Sequence, residues 1–84
     1  MKIKIKDSVG DTREFDCSPS DKLSTLLEQF RPFAKQSGKT IRSISFAYGG
    51  DVFLEGQMDV SLDELGVENG HQIVASVLYN GGKI

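Results

Sequence analysis

A single helical stripe, set in a chain otherwise patterned at period two, most constrains what this sequence can fold into. Leu23, Leu26, Leu27 and Phe30 stand at i, i+3, i+4 and i+7, which places four apolar side chains on one face of a helix. The runs before it alternate instead. In "MKIKIK", Met1, Ile3 and Ile5 alternate with Lys2, Lys4 and Lys6; in "TREFDC", Phe15 and Cys17 alternate with Glu14 and Asp16. Period two describes a strand with one wet face and one buried face. The helix must cover its stripe and the strands must cover their apolar faces. A small sheet wrapped over one helix satisfies both needs, an α+β fold.

The punctuation orders these elements. Gly10 in "DSVGDT" turns the first strand into the second. "SPSD" then ends the sheet, because Pro19 cannot donate to a ladder, and Ser20 or Asp21 is placed to cap the helix. Pro32 lacks an N–H and crowds the carbonyl of Glu28, so the helix is expected to end or kink there, with Gly38 closing a distorted last turn. In "IRSISFAY", Ile44, Phe46 and Tyr48 share a face, and Gly49-Gly50-Asp51 turns the chain back into a short strand from Val52 to Leu54. "EGQMDV" reads as loop. "SLDEL" carries a capping box, Ser61 with Glu64, with Leu62 and Leu65 inward and Gly66 at the C-terminal end. "HQIVASVL" is the last strand, with Ile73, Ala75 and Val77 on one face and its end near Leu78.

Length and charge narrow the classes. At 84 residues the chain is one domain, able to bury roughly 60% of its unfolded surface in one modest core. Cys17 is the one cysteine, so no internal disulfide forms, and a lone thiol fits a reducing compartment, cytoplasm or nucleus. The net charge of −2 argues against a nucleic-acid partner. No apolar run approaches the ~20 residues of a membrane span, and the lysine-rich start has no apolar signal-peptide centre. Cys17 reads as an inert thiol on a buried strand face. His71, the one histidine, reads as solvated and has no second ligand for a metal. Gly49-Gly50 lacks the lysine and helix of a phosphate cradle. The chain is therefore expected to be no enzyme and to carry no metal or cofactor.

The element order resembles the β-grasp fold of ubiquitin-like proteins, and the residues carry the likeness along the whole chain. "MKIKIK" and the "PSD" before the helix are similar to ubiquitin; "ISFAYGG" and "SLDELGVENGHQI" are similar to SUMO. From "ELG" onward, Gly81-Gly82 falls at the spacing SUMO uses, with no gap. The resemblance implies a protein modifier: a processing protease frees the Gly82 carboxylate by removing Lys83-Ile84, an activating enzyme adenylates it, and a conjugating enzyme passes it to lysines of target proteins. Glycine suits that end because a chain without Cβ atoms threads a narrow channel. On this reading residues 1–78 form the domain and 79–84 a C-terminal tail, and the protein acts as a monomer without nucleic acid or membrane. Four extended residues, Tyr79 to Gly82, span roughly 13 Å.

Departures from the family shape the expected partner surface. Tyr79 and Asn80 stand where ubiquitin has arginines, which points away from the ubiquitin pathway. Glu14 and Asp16 stand where SUMO has lysines, so acidic SUMO-type ligands are expected to be rejected. Ala47, Val74 and Ser76 occupy the places of ubiquitin's hydrophobic patch and weaken it. Two other classes share the scaffold. A non-conjugated interaction module would use only the surface. A β-grasp sulfur carrier would carry a thiocarboxylate on its last glycine, and Lys83-Ile84 counts against that class.

Overall fold

The structure, a computed structural model, describes residues 1–8 and 10–80. In chain order its elements are β1 (Lys2–Lys6), β2 (Thr12–Asp16), helix α1 (Leu23–Ala34), β3 (Thr40–Tyr48), β4 (Asp51–Phe53), one 3₁₀ turn (Glu55–Gln57), helix α2 (Leu62–Leu65) and β5 (Gln72–Asn80). Among the described residues the strands form one five-stranded sheet in the order β2-β1-β5-β3-β4. β1 and β5 run parallel and the other neighbours antiparallel. The last strand therefore lies at the centre, between the two hairpins, and α1 packs across one face. This is the β-grasp architecture.

The two periodicities meet in one core. Ile3, Ile5 and Phe15 from the first hairpin, Ile44 and Phe46 from β3, and Ile73 and Ala75 from β5 are all buried against Leu23, Leu26, Leu27 and Phe30 of α1. Phe30 meets the edges of both Phe15 and Phe46, at centroid distances of 6.4 and 6.1 Å, the arrangement that aromatic quadrupoles favour. Met58 and Val67 join this core although both come from segments without period.

Several local expectations are corrected. Neither Ser20 nor Asp21 caps α1: the N-cap is Lys22 and makes no side-chain cap bond. The Asp21 carboxylate instead accepts from the Ser18 N–H at 2.8 Å. The first helical N–H groups, of Leu23 and Ser24, donate to the carbonyls of Val60 and Met58. α1 also runs through Pro32 to Ala34. The last turn is held from outside, by burial of Ala34 and by Phe33, which packs edge-on against Phe15 and under the Arg13 guanidinium. Gly38 lies beyond the end, in a turn closed by Lys39 N–H to Gln36 carbonyl. β4 begins at Asp51, one residue early, because Gly49 and Gly50 both take positive φ (61° and 88°), the type I′ geometry that closes a two-residue hairpin. α2 is built as its capping box specifies, with Gly66 left-handed at its C-terminal end.

β5 runs two residues further than the alternation suggests, and starts one residue later, at Gln72. Tyr79 and Asn80 pair with Ile41 and Thr40 of β3, so the folded body reaches 80 rather than 78. β3 contains a bulge between Ile41 and Ser43. The extra residue lets Ile41 and Ile44, three apart, both pack against the core.

Candidate functional site

The sequence candidates fall in two regions: the sheet face opposite α1, and the end of β5, which Gly81-Gly82 follow in sequence. On the open face, parity sends one side of every strand outward. Register then places Val52, Ala47, Val74 and Lys6 in one row across β4, β3, β5 and β1. Val52 and Val74 are 62% and 42% exposed, far more than packing within the sheet requires. One row further, Ser45 faces Ser76, and beyond it Ser43 faces Leu78, which is 57% exposed. Ala47 and Val74 are thus directly opposed. Ser76 sits in a polar row that divides the Val52–Ala47–Val74 strip from Leu78. Val52 and Leu78 were not foreseen. Their signal was present: each is an apolar residue on the wet parity of its strand.

Glu14 and Asp16 also lie on the open face, opposite Lys4 and Lys2. Lys2 Nζ donates to Asp16 Oδ1 at 2.9 Å. This hydrogen bond and charge hold the Asp16 carboxyl below the usual carboxylate range. The acidic residues of β2 are therefore set against β1 lysines. The opposite parity of β2, toward the helix, presents Arg13 over the Phe33 ring at 4.6 Å.

At the end of β5, Tyr79 and Asn80 are strand residues and not tail. The Tyr79 hydroxyl donates to the Ala34 carbonyl at the end of α1, and Lys39 Nζ lies 5.6 Å from the Tyr79 ring centroid. Of the four residues expected to extend freely, Tyr79 and Asn80 are instead paired with β3. Gly81, Gly82 and the Lys83-Ile84 pair lie outside the described residues.

Other sequence candidates are accounted for by structure. Cys17 follows β2, its thiol facing the Met1 carbonyl at 3.7 Å, and burial pushes its pKa up, the opposite of an activated nucleophile. His71 is a connector more than a solvated side chain. Its Nδ1 accepts from the Glu68 N–H at 3.2 Å and lies 2.7 Å from the Tyr48 hydroxyl, which also reaches the Gly66 carbonyl. Among the described residues there is no group of three or more His, Cys, Asp or Glu that could hold a metal, and no helix long and apolar enough to cross a membrane.

No protein-family model matches the chain, and no curated protein matches it.

Proposed function

We propose that this chain is a ubiquitin-like protein modifier of SUMO-like type, acting through the carboxylate of Gly82. The observation that carries the reading is the placement of β5. The central strand of the β-grasp sheet is described as far as Asn80, and Gly81-Gly82 follow it directly in sequence, the order in which a β-grasp modifier carries its reactive end. Lys83 and Ile84 follow the pair, so hydrolysis of the Gly82–Lys83 amide must come first. The freed carboxylate attacks ATP to give an acyl-adenylate and pyrophosphate. A cysteine thiol of the activating enzyme displaces AMP. After transfer to a conjugating enzyme, a target lysine amine displaces the thiol and leaves an isopeptide bond. The modifier supplies no catalytic group; its open face supplies docking for these enzymes, in cytoplasm or nucleus.

The test is a non-reducing gel with ATP and extract of the cells of origin, together with the mass of the protein recovered from those cells. A form ending at Gly82 is expected to give a thiol-sensitive adduct, and the form ending at Ile84 none until trimmed. Gly82→Ala is expected to abolish the adduct, since the new Cβ crowds the channel. Recovery of the protein intact to Ile84, with no adduct from the trimmed form, would sink the reading. A non-conjugated interaction module is the second reading, favoured in that event by the exposed Val52–Ala47–Val74 strip.

A further inference from the structure

Charge is segregated along this chain. Of its 10 Lys and Arg, four fall within 31–42 (Arg31, Lys35, Lys39 and Arg42), where no Asp or Glu stands; the remaining six face all 12 acidic residues, so everything outside the segment carries −6. The fold gathers this segment around a concave feature. Between the end of α1 and the start of β3 lies an open depression of about 380 Å³, lined by Arg31, Lys35, Gln36, Lys39, Thr40 and Ile41.

The cations there are not equivalent. Arg31 is committed: its guanidinium donates to Glu55 Oε1 at 2.9 Å and lies 3.7 Å from Glu28. Lys35 and Lys39 have no ion pair among the described residues, and both are exposed. Cations near a helix C-terminus are ordinarily explained by the macrodipole, whose partial charge is about half an elementary charge. Arg31 occupies the last turn of α1, and the terminal Ala34 carbonyl already accepts from Tyr79. Lys39 lies past the helix, posed over the Tyr79 ring. Lys35, Gln36, Lys39 and Thr40 thus line one hollow with Ile41 at its wall. All four are hydrogen-bond donors.

We infer that this depression is a docking site for a short acidic segment of a partner protein, two or three carboxylates long. Charge complementarity selects the class, and the balance of the rest of the chain selects the length. A long polyanion such as nucleic acid, or an anionic membrane surface, would run from the basic hollow onto a body of −6 and be repelled. A short acidic peptide ends before it gets there. The site is independent of conjugation through Gly82 and would serve a modifier or an interaction module alike.

The test is an amide-resolved NMR titration of the full chain with a capped hexapeptide of alternating Asp and Glu, at about 10 mM salt, where the screening length is about 30 Å. Saturable shifts are expected at the amides of residues 35–41. The dissociation constant is expected to rise about tenfold or more in Lys35→Glu/Lys39→Glu, and by less in Lys35→Gln/Lys39→Gln. Lys4→Glu, on the far face of the sheet, is expected to raise it far less than the double reversal does. The uncomplexed spectra of these variants establish that each is folded. Shifts that are absent, or centred elsewhere, would overturn the assignment. So would inorganic phosphate matching the hexapeptide, which reduces the hollow to a simple anion site. An oligothymidylate or a phosphatidylserine vesicle saturating the same amides at lower concentration would also overturn it. Sedimentation showing a dimer that the double reversal dissociates would assign the hollow to a second copy of this chain.

Discussion

One hydroxyl ties the last strand to the end of the main helix. The final carbonyls of a helix have no partner within it, and at Ala34 the missing donor is the Tyr79 phenol. Tyr79→Phe keeps the ring, which Lys39 overlies, and removes only the donor. The expected effect is a loss of about 1 kcal/mol, read as a lower urea midpoint with an unchanged slope. Leu26→Ala asks a different question of the same packing. Leu26 is fully buried on the stripe of α1, so truncation is expected to cost ~2–5 kcal/mol by loss of transfer energy and by the cavity left behind. A midpoint that does not move in the Leu26 variant would mean that the sheet does not close over this face of the helix. At this scale the sequence is mostly legible. Ile3, Ile5, Phe15, Ile44, Phe46 and Ile73 are buried as their parity requires. Met58 and Val67 are not legible, because neither belongs to a periodic run and each is buried by residues remote in sequence.

At the scale of elements, the two helices start by serving each other. The Leu23 and Ser24 N–H groups of α1 donate to Val60 and Met58, and the Leu62 and Asp63 N–H groups of α2 donate to Asp21 and Pro19. An isolated bridge between Lys22 and Ser61 joins the two approaches. This reciprocal arrangement replaces the side-chain cap expected at Ser20 or Asp21. It was unreadable because its donors and acceptors lie about forty residues apart in sequence and meet only in the fold. The capping box of α2 was readable because Ser61 and Glu64 sit within one turn. The bulge in β3 was hidden for the reason that hid the clasp: only pairing with β5 defines it. Three carboxylates report on these junctions. Glu64 is held low chiefly by the Ser61 N–H, Glu55 by hydrogen bonding to Arg31 with a further bond from the Ile44 N–H, and Asp16 by Lys2. A depressed folded pKa means stability that is complete above the ordinary carboxylate range and lost as pH falls through the folded values. The urea midpoint is therefore expected to be flat from about pH 5 to 7 and to fall below about pH 4. Glu55→Gln is expected to lower the plateau and shrink the fall. An unchanged acid limb in that variant would remove Glu55 from the account.

For the molecule as a whole, β5 is the keystone. It is paired with β1 over Gln72–Val74 and with β3 over Val74–Asn80, so among the described residues the two pairings meet at Val74. Hydrogen exchange is expected to be slowest around Ile73 to Ala75 and to quicken toward Asn80, where β3 alone holds the strand. Slower exchange in the helix than in central β5 would contradict this. The candidate surfaces divide the same way. The opposition of Ala47 and Val74 follows from β-grasp register. The hollow beside Lys35 and Lys39 was present in the sequence only as a run of charge, since concavity requires the turn between α1 and β3. The central position of β5 also bears on how the protein is made. A ribosome delivers the first hairpin, then the helix and second hairpin, and the strand that joins them comes last of all the elements. Between Tyr48 and Asn80 roughly thirty residues must be added, at about 5–20 per second a wait of a few seconds. During that wait Ile3, Ile5, Ile44 and Phe46 have no closed sheet to bury them. Until β5 arrives the apolar faces of the two hairpins stay unjoined, and a product cut short before it is expected to be digested by protease far faster than the full chain.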